Sequence, residues 1–247
     1  MIPKKIHYCW LSDEPLPTIN LHCLNSWKEN LNDYELVLWD KKKFDINSSR
    51  WVKESYEAKK YAFSADFIRL YALYTEGGIY LDLDVEVINT FDSFLDLKSF
   101  IGFDPSGSIE AAVIGAEKNT SWIKASMDYY LDKSFYSEKG KASTVPLPII
   151  IEAALKKKYS IRSDLSNLKN INNELNLYPY YFFSPKDPRT GKMYTNNQTV
   201  CIHHFEGSWL SKRFFFRLKK NIHISLTFIF GLGLHNKIIK SIKNFLQ

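Results

Sequence analysis

Residues 64–86, Ser-Ala-Asp-Phe-Ile-Arg-Leu-Tyr-Ala-Leu-Tyr-Thr-Glu-Gly-Gly-Ile-Tyr-Leu-Asp-Leu-Asp-Val-Glu, decide the fold of this 247-residue chain. Phe67, Ile68, Leu70, Tyr71 and Tyr74 recur at a helical period. Ser64 reads as the cap of that helix. Gly77-Gly78 ends it, because glycine adopts the backbone conformation in which helices terminate. Ile79-Tyr80-Leu81 has the apolar, partly β-branched character of a strand buried on both faces. The stretch therefore predicts a helix over 63–76, a glycine turn, and a strand over 79–85 that carries Asp82 and Asp84. Side chains alternate along a strand, so both carboxylates project from one side. Two carboxylates that close repel unless a cation lies between them, and hard oxygen ligands suit Mg²⁺ or Mn²⁺. Asp66 and Arg69 stand three apart on one helix face. Their spacing alone predicts only a surface ion pair.

The pattern extends outward from this block. Ile6–Trp10 and Tyr34–Trp39 read as strands, and residues 18–30 and 50–61 as helices. Strands alternating with helices predict an α/β fold with a mostly parallel sheet. Ligands of such sheets gather at the carboxyl ends of the strands, where Trp10, Asp40 and Asp84 fall. Later, 100–103, 111–115, Tyr178–Phe183 and Thr199–His203 read as strands, and 120–132 and 147–158 as helices. Asn167–Asn176 reads as irregular.

The central block resembles the DXD sugar-binding region of glycosyltransferase family 32. That family includes bacterial capsular polysaccharide transferases, yeast mannosyltransferases and, more distantly, clostridial glucosylating toxins. Ile2–Trp10 (IPKKIHYCW) resembles the family's first strand, and Ile202–Trp209 (IHHFEGSW) its C-terminal motif. The resemblance implies a GT-A (Rossmann-like) fold, a nucleotide-sugar donor, a divalent cation (Mn²⁺ or Mg²⁺) and retention of anomeric configuration. On it, Asp84 is expected to ligate the cation directly. Asp82 is expected at the donor ribose or a cation-bound water, and counts as a further ligand candidate. His204 is the third expected ligand, with Glu206 and Ser208 competing. His203, facing the opposite way in an extended segment, is not chosen. Trp10, Asp40, Asp66, Arg69, Tyr80, Asp82 and Trp209 are expected to contact the donor. Asp82, Asp84 and Arg69 are expected to carry catalysis.

Composition bounds the remainder. Hydrophobic residues make up 45% and charged residues 24%, which is ordinary for a soluble globular domain. Three cysteines at wide spacing suggest neither a disulfide framework nor a zinc site, and point to a reducing compartment. Met1–Lys5 runs straight into a strand-like segment, so no secretory leader is expected. The net charge of +6 is unevenly spread: eight Lys or Arg and no Asp or Glu follow Glu206. No RNA-binding or helix-turn-helix pattern accompanies that charge, so nucleic acid is not an expected partner. The apolar run Ile222–Leu234 is too short to span a bilayer, and Lys237–Leu246 reads as amphipathic. Residues 211–247 are therefore expected to form a basic, apolar tail that lies on an anionic membrane surface. Residues 1–210 are expected to form the transferase domain. The expectation as a whole is a metal-dependent retaining hexosyltransferase, with UDP-sugars favoured over GDP-mannose. It would act on a glycan or lipid-linked glycan in surface or capsular polysaccharide assembly. Its expected location is cytoplasmic, peripheral on the inner face of the membrane. The alternatives are a metal-dependent phosphohydrolase built on Asp82, Asp84, His203 and His204, and an inactive sugar- or membrane-binding module.

Overall fold

The structure is a computed structural model that describes residues 1–159 and 168–206. The basic tail, with Ser208 and Trp209, lies outside the described residues. In chain order the elements are β1 (Lys5–Cys9), α1 (Thr18–Asn30), β2 (Glu35–Trp39), α2 (Arg50–Glu57), α3 (Tyr61–Glu76), β3 (Gly78–Leu81), β4 (Val85–Val87), β5 (Ser99–Phe103), β6 (Ile109–Ala116), α4 (Ser121–Met127), α5 (Leu147–Lys158), β7 (Lys169–Ile171), β8 (Leu175–Tyr178), α6 (Tyr180–Phe183) and β9 (Cys201–His203). Among the described residues, no helix is long and apolar enough to cross a membrane.

Seven strands form one sheet in the order β2-β1-β3-β6-β5-β8-β7. β2, β1, β3, β5 and β8 run one way, and β6 and β7 are reversed. This is the α/β sheet flanked by helices that the alternating pattern predicts, mixed because β6 enters antiparallel beside β3. β3 shows why the sheet is central. All four of its residues are buried. Tyr80 faces a core with Trp51, Ile68, Leu73, Trp122 and Ile151 of α2, α3, α4 and α5. Ile79 and Leu81 face the opposite core, with Trp27 of α1, Phe91, Phe94 and Phe183. Each such buried side chain contributes about 1.5–3 kcal/mol by leaving water.

The glycine turn between α3 and β3 is as tight as its sequence suggests. Gly77 and Gly78 have φ of +68° and +113°. A Cβ on Gly78 would lie 2.9 Å from both His7 Nε2 and the Lys5 carbonyl. His7 Nε2 donates to the Gly77 carbonyl at 2.7 Å, and its Nδ1 accepts from Trp39 Nε1 at 3.0 Å. Indole N–H is only a donor, so this imidazole is the neutral Nε2–H tautomer. Burial lowers its pKa in the same sense. One buried ring thus ties β1, β2 and the turn together.

Several local readings change. Ser64 caps nothing: α3 starts three residues earlier, and Ser64 Oγ is buried 2.7 Å from Ser55 Oγ. The strand predicted over 79–85 stops at Leu81. Asp82 to Val85 is a reverse turn closed by Val85 N donating to the Asp82 carbonyl at 3.0 Å. Beyond it β4 leaves the large sheet and pairs with β9 as a separate antiparallel ribbon, Val85 opposite His203. The strand read over Tyr178–Phe183 ends at Tyr178, because Pro179 cannot donate to a ladder and instead opens the short α6. The asparagine-rich segment read as irregular forms the β7–β8 hairpin; Asn172 and Asn173 take the left-handed conformation at its turn. The helix predicted over 120–132 ends as α4 at Met127, followed by one 3₁₀ turn.

Candidate cation and donor site

β1, β2 and β3 run parallel and end at Cys9, Trp39 and Leu81, so Trp10, Asp40 and Asp82 follow at one edge of the sheet. Glu110 reaches the same edge from the start of the reversed β6, opposite Gly102 in β5. The β4–β9 ribbon adds His203. Asp82, Asp84 and His203 present ligand atoms within 4.8 Å of one another. His203 Nε2 is 3.4 Å from Asp84 Oδ1, and His203 Nδ1 is 3.4 Å from Glu110 Oε2. Phe205, at φ +56°, lays its ring 3.9 Å from the His203 ring.

Two backbone groups fix Asp84. Glu206 N donates to its Oδ2 at 2.9 Å, and His204 N donates to its carbonyl at 2.9 Å. Burial opposes ionisation of Asp84, but His203 and the Glu206 N–H outweigh it and hold the carboxyl at about 2. Burial would likewise lower the His203 imidazole, yet Glu110 and Asp84 on either side hold it well above its ordinary value. Glu110 is lowered despite burial, through His203 and the Ala112 N–H that bonds its Oε1 at 2.9 Å. Asp84 and Glu110 are thus held ionised, as carboxylates beside a cation must be, whereas His203 would have to give up a proton to ligate one.

Behind it lies a charge triad. Arg69 NH2 is 3.2 Å from Asp66 Oδ1 and 3.0 Å from Asp82 Oδ1, and NH1 donates to Asp82 Oδ2 at 3.2 Å and to the Ala111 carbonyl at 2.7 Å. The guanidinium carbon sits 4.6 Å above the Tyr80 ring. Arg69 is 6% exposed, so the surface pair that spacing predicts is in fact a buried bridge from α3 to the carboxylate turn. Burial raises Asp66 to about 7, opposed by Arg69 and aided by Asp82. Burial raises Asp82 too, against Arg69.

The expected residues divide. Asp82, Asp84, Asp66 and Arg69 converge. His204 does not join the cluster: its Nε2 is 2.9 Å from Glu86 Oε2, whose other oxygen is 3.3 Å from His22 Nε2. His203 takes the place expected of His204. This also separates the two histidines that a phosphohydrolase reading would put on one ion. Glu206 bonds Asp84 through its backbone N–H, and Ser208 and Trp209 lie outside the described residues. Trp10 is half-buried at the end of β1, its Nε1 donating to the Glu14 carbonyl at 3.0 Å. Asp40 Oδ1 accepts from Lys42 N and Lys43 N, both at 2.9 Å, so this carboxylate caps a turn. Tyr80 is 1% exposed and supports Arg69 from below, which leaves it no surface for a donor. Glu110 went unread from sequence, because a single Glu before an apolar strand carries no motif.

The donor set fits a small hard cation with one nitrogen ligand: two carboxylate oxygens and an imidazole in reach of one another, with His203 Nδ1 buried and lacking a hydrogen bond.

Residues 17–101 match the family model described as a glycosyltransferase sugar-binding region containing a DXD motif. Inositol phosphoceramide mannosyltransferase 3 of Schizosaccharomyces pombe is 33% identical over 126 residues, which cover 49% of this chain and 35% of that protein. Inositol phosphoceramide mannosyltransferase 1 of the same yeast is 29% identical over 107 residues, covering 40% and 33%. Subversion of eukaryotic traffic protein A of Legionella pneumophila is 30% identical over 111 residues, covering 34% and 17%. The chain therefore spans about a third or less of the length of these curated relatives. Among solved structures, PaToxG glycosyltransferase aligns with a TM-score of 0.49 at 21% identity, covering 64% of this chain and 70% of that one. A glycosyltransferase involved in glycosylation of the major capsid of PBCV-1 aligns with a TM-score of 0.39 at 13% identity, covering 72% and 82%. At such scores these structural likenesses carry no argument about chemistry.

Proposed function

We propose that this protein is a metal-dependent GT-A glycosyltransferase that moves a hexose from a nucleotide-diphosphate donor to a glycan or lipid-linked glycan, with retention. The observation that carries the reading is the convergence of Asp82 and Asp84, both inside the segment that matches a sugar-binding DXD model, with His203 at the carboxyl edge of the parallel strands. Asp84 and His203 would hold Mn²⁺ or Mg²⁺ directly, with Asp82 beside them. Such an ion neutralises the diphosphate leaving group. The chain's own residues orient the rest. Arg69 fixes Asp82 and Asp66 toward the donor sugar, and Trp10 offers a ring at the strand edge for the base. Asp66 is paired with Arg69 and Glu110 faces His203, so neither stands poised as a nucleophile. That supports same-face transfer, in which the leaving phosphate takes the acceptor proton. The names of the two fission-yeast relatives speak for mannose, which the sequence places behind a UDP-hexose; the donor class is where these two lines part.

A screen of UDP-sugars and GDP-mannose with Mn²⁺, read by thermal shift and release of the nucleotide diphosphate, tests the reading. One donor should stabilise the protein only when the cation is present, and should be turned over with a glycan acceptor. Indifference to every nucleotide sugar, or to EDTA, would sink it.

The basic tail after Glu206 supports a peripheral position on an anionic membrane face, beside a lipid-linked acceptor. Flotation of the full chain with anionic and neutral vesicles tests this. Equal recovery with both kinds of vesicle would refute it.

A further inference from the structure

We infer that Glu110 is the positioning residue that sets the tautomer of His203 and so decides whether this imidazole can ligate a cation. The inference rests on the reading of Asp82, Asp84 and His203 as a cation site. Glu110 lies 26 positions beyond Asp84, on a different strand of a different sheet from His203. Yet it faces the imidazole on the side away from Asp84. His203 Nε2 points to Asp84 Oδ1 and Nδ1 to Glu110 Oε2, each at 3.4 Å. Nδ1 is buried and has no hydrogen bond of good geometry. Bringing it within bonding distance of Glu110 needs a shift of about half an ångström.

An imidazole binds a cation through a nitrogen that carries no proton, and the other nitrogen then carries one. With Glu110 Oε2 as acceptor, the proton belongs on Nδ1 and the lone pair of Nε2 faces Asp84. The carboxylate is itself fixed, because its Oε1 accepts from Ala112 N at 2.9 Å. Both oxygens of Glu110 are thus acceptors with assigned donors, and Phe205 closes over the ring. A glutamine has the same shape but only one oxygen. If that oxygen keeps Ala112 N, its amide NH₂ faces Nδ1, draws the lone pair there, and leaves the proton on Nε2. If it turns to His203, the Ala112 N–H faces an NH₂.

Titration with Mn²⁺ alone, followed by EPR of the free ion on the full chain, tests this. Glu110→Gln should weaken Mn²⁺ binding about 10- to 100-fold, with the fold in EDTA intact by circular dichroism. At saturating Mn²⁺, pulsed EPR should show imidazole-nitrogen modulation in the wild type and its loss in Glu110→Gln. His203→Ala supplies the nitrogen-free reference. Wild-type affinity in Glu110→Gln would overturn the assignment while leaving the cation site standing. So would weakened binding with the nitrogen modulation intact, which would make Glu110 a remote charge only. If the wild type itself bound no Mn²⁺, or bound it without nitrogen modulation, the cation reading and the role of Glu110 would fall together.

Discussion

Arg69 grips Asp82 with both terminal nitrogens, at 3.0 and 3.2 Å, from one helix turn beyond Asp66. The pair is end-on and forked, a geometry that lysine cannot reproduce. Since Arg69 is buried, removing its charge leaves the half-buried carboxylates of Asp66 and Asp82 without the cation between them. Arg69→Met should therefore cost about 3–5 kcal/mol of stability in urea unfolding. Arg69→Lys should cost less, and Asp66→Asn should recover part of the Arg69→Met loss. A loss in Arg69→Met no larger than that of a surface pair, about 1 kcal/mol or less, would show the bridge to be unimportant to folding.

Asp84 and His204 touch through the backbone while their side chains part. Asp84→Asn should abolish Mn²⁺-dependent donor stabilisation and lower turnover on the order of 10²–10³-fold, with the fold intact by circular dichroism. Asp82→Asn should also be severe. His204→Ala should leave cation affinity close to wild type, because the ring pairs with Glu86. A His204→Ala variant as damaged as His203→Ala would contradict this division of the two histidines.

Asp66 makes stability depend on pH in a sense opposite to Asp84. Its folded value of about 7 lies above its ordinary 3.8, so the folded chain keeps a proton that the unfolded chain releases. Stability from this group therefore falls as pH rises from about 4 to about 7, then levels. Asp84, held at about 2, contributes stability that is complete above its ordinary value and lost as pH falls toward 2. In EDTA, Asp66→Asn should flatten the decline of melting temperature between pH 4 and pH 7 and leave the acid limb unchanged. An unchanged slope in that window would mean Asp66 is ionised throughout.

Trp10 stands at the end of β1 with its indole N–H held by the Glu14 carbonyl. If its ring takes the donor base, Trp10→Ala should weaken donor binding by about 1–2 kcal/mol. It should raise the donor KM and leave the acceptor KM alone. Lost stability with unchanged donor affinity would make Trp10 part of the core packing it already borders.

The helix, glycine turn and buried strand around residue 78 were legible because each has its own local physics: a 3.6-residue period, paired glycines with positive φ, and an apolar run buried on both faces. The two carboxylates were legible as a pair, but for a different reason than strand alternation. Had Asp84 continued the strand, it would share a face with Glu86 and, across the ribbon, with His204. Because residues 82–85 turn, Asp84 swings to the side of His203, and Glu86 alone is left to meet His204. That choice between neighbouring histidines depends on one turn and one register, neither of which has a sequence signal. Glu110 depends on β6 entering antiparallel, a matter of strand order rather than of local pattern.

The ribbon of β4 and β9 also orders events in time. The carboxylate turn and its arginine clamp are close in sequence, but His204 and Glu86 are 118 positions apart, and His203 closes the cluster from the same late strand. Bringing such distant segments together is entropically slow compared with forming α3 and its turn. A chain still emerging from the ribosome therefore carries both aspartates and no imidazole to complete the set. The capacity to hold a cation through nitrogen would appear only when nearly all of the sheet is already in place, so that capture of an ion there would report a finished domain.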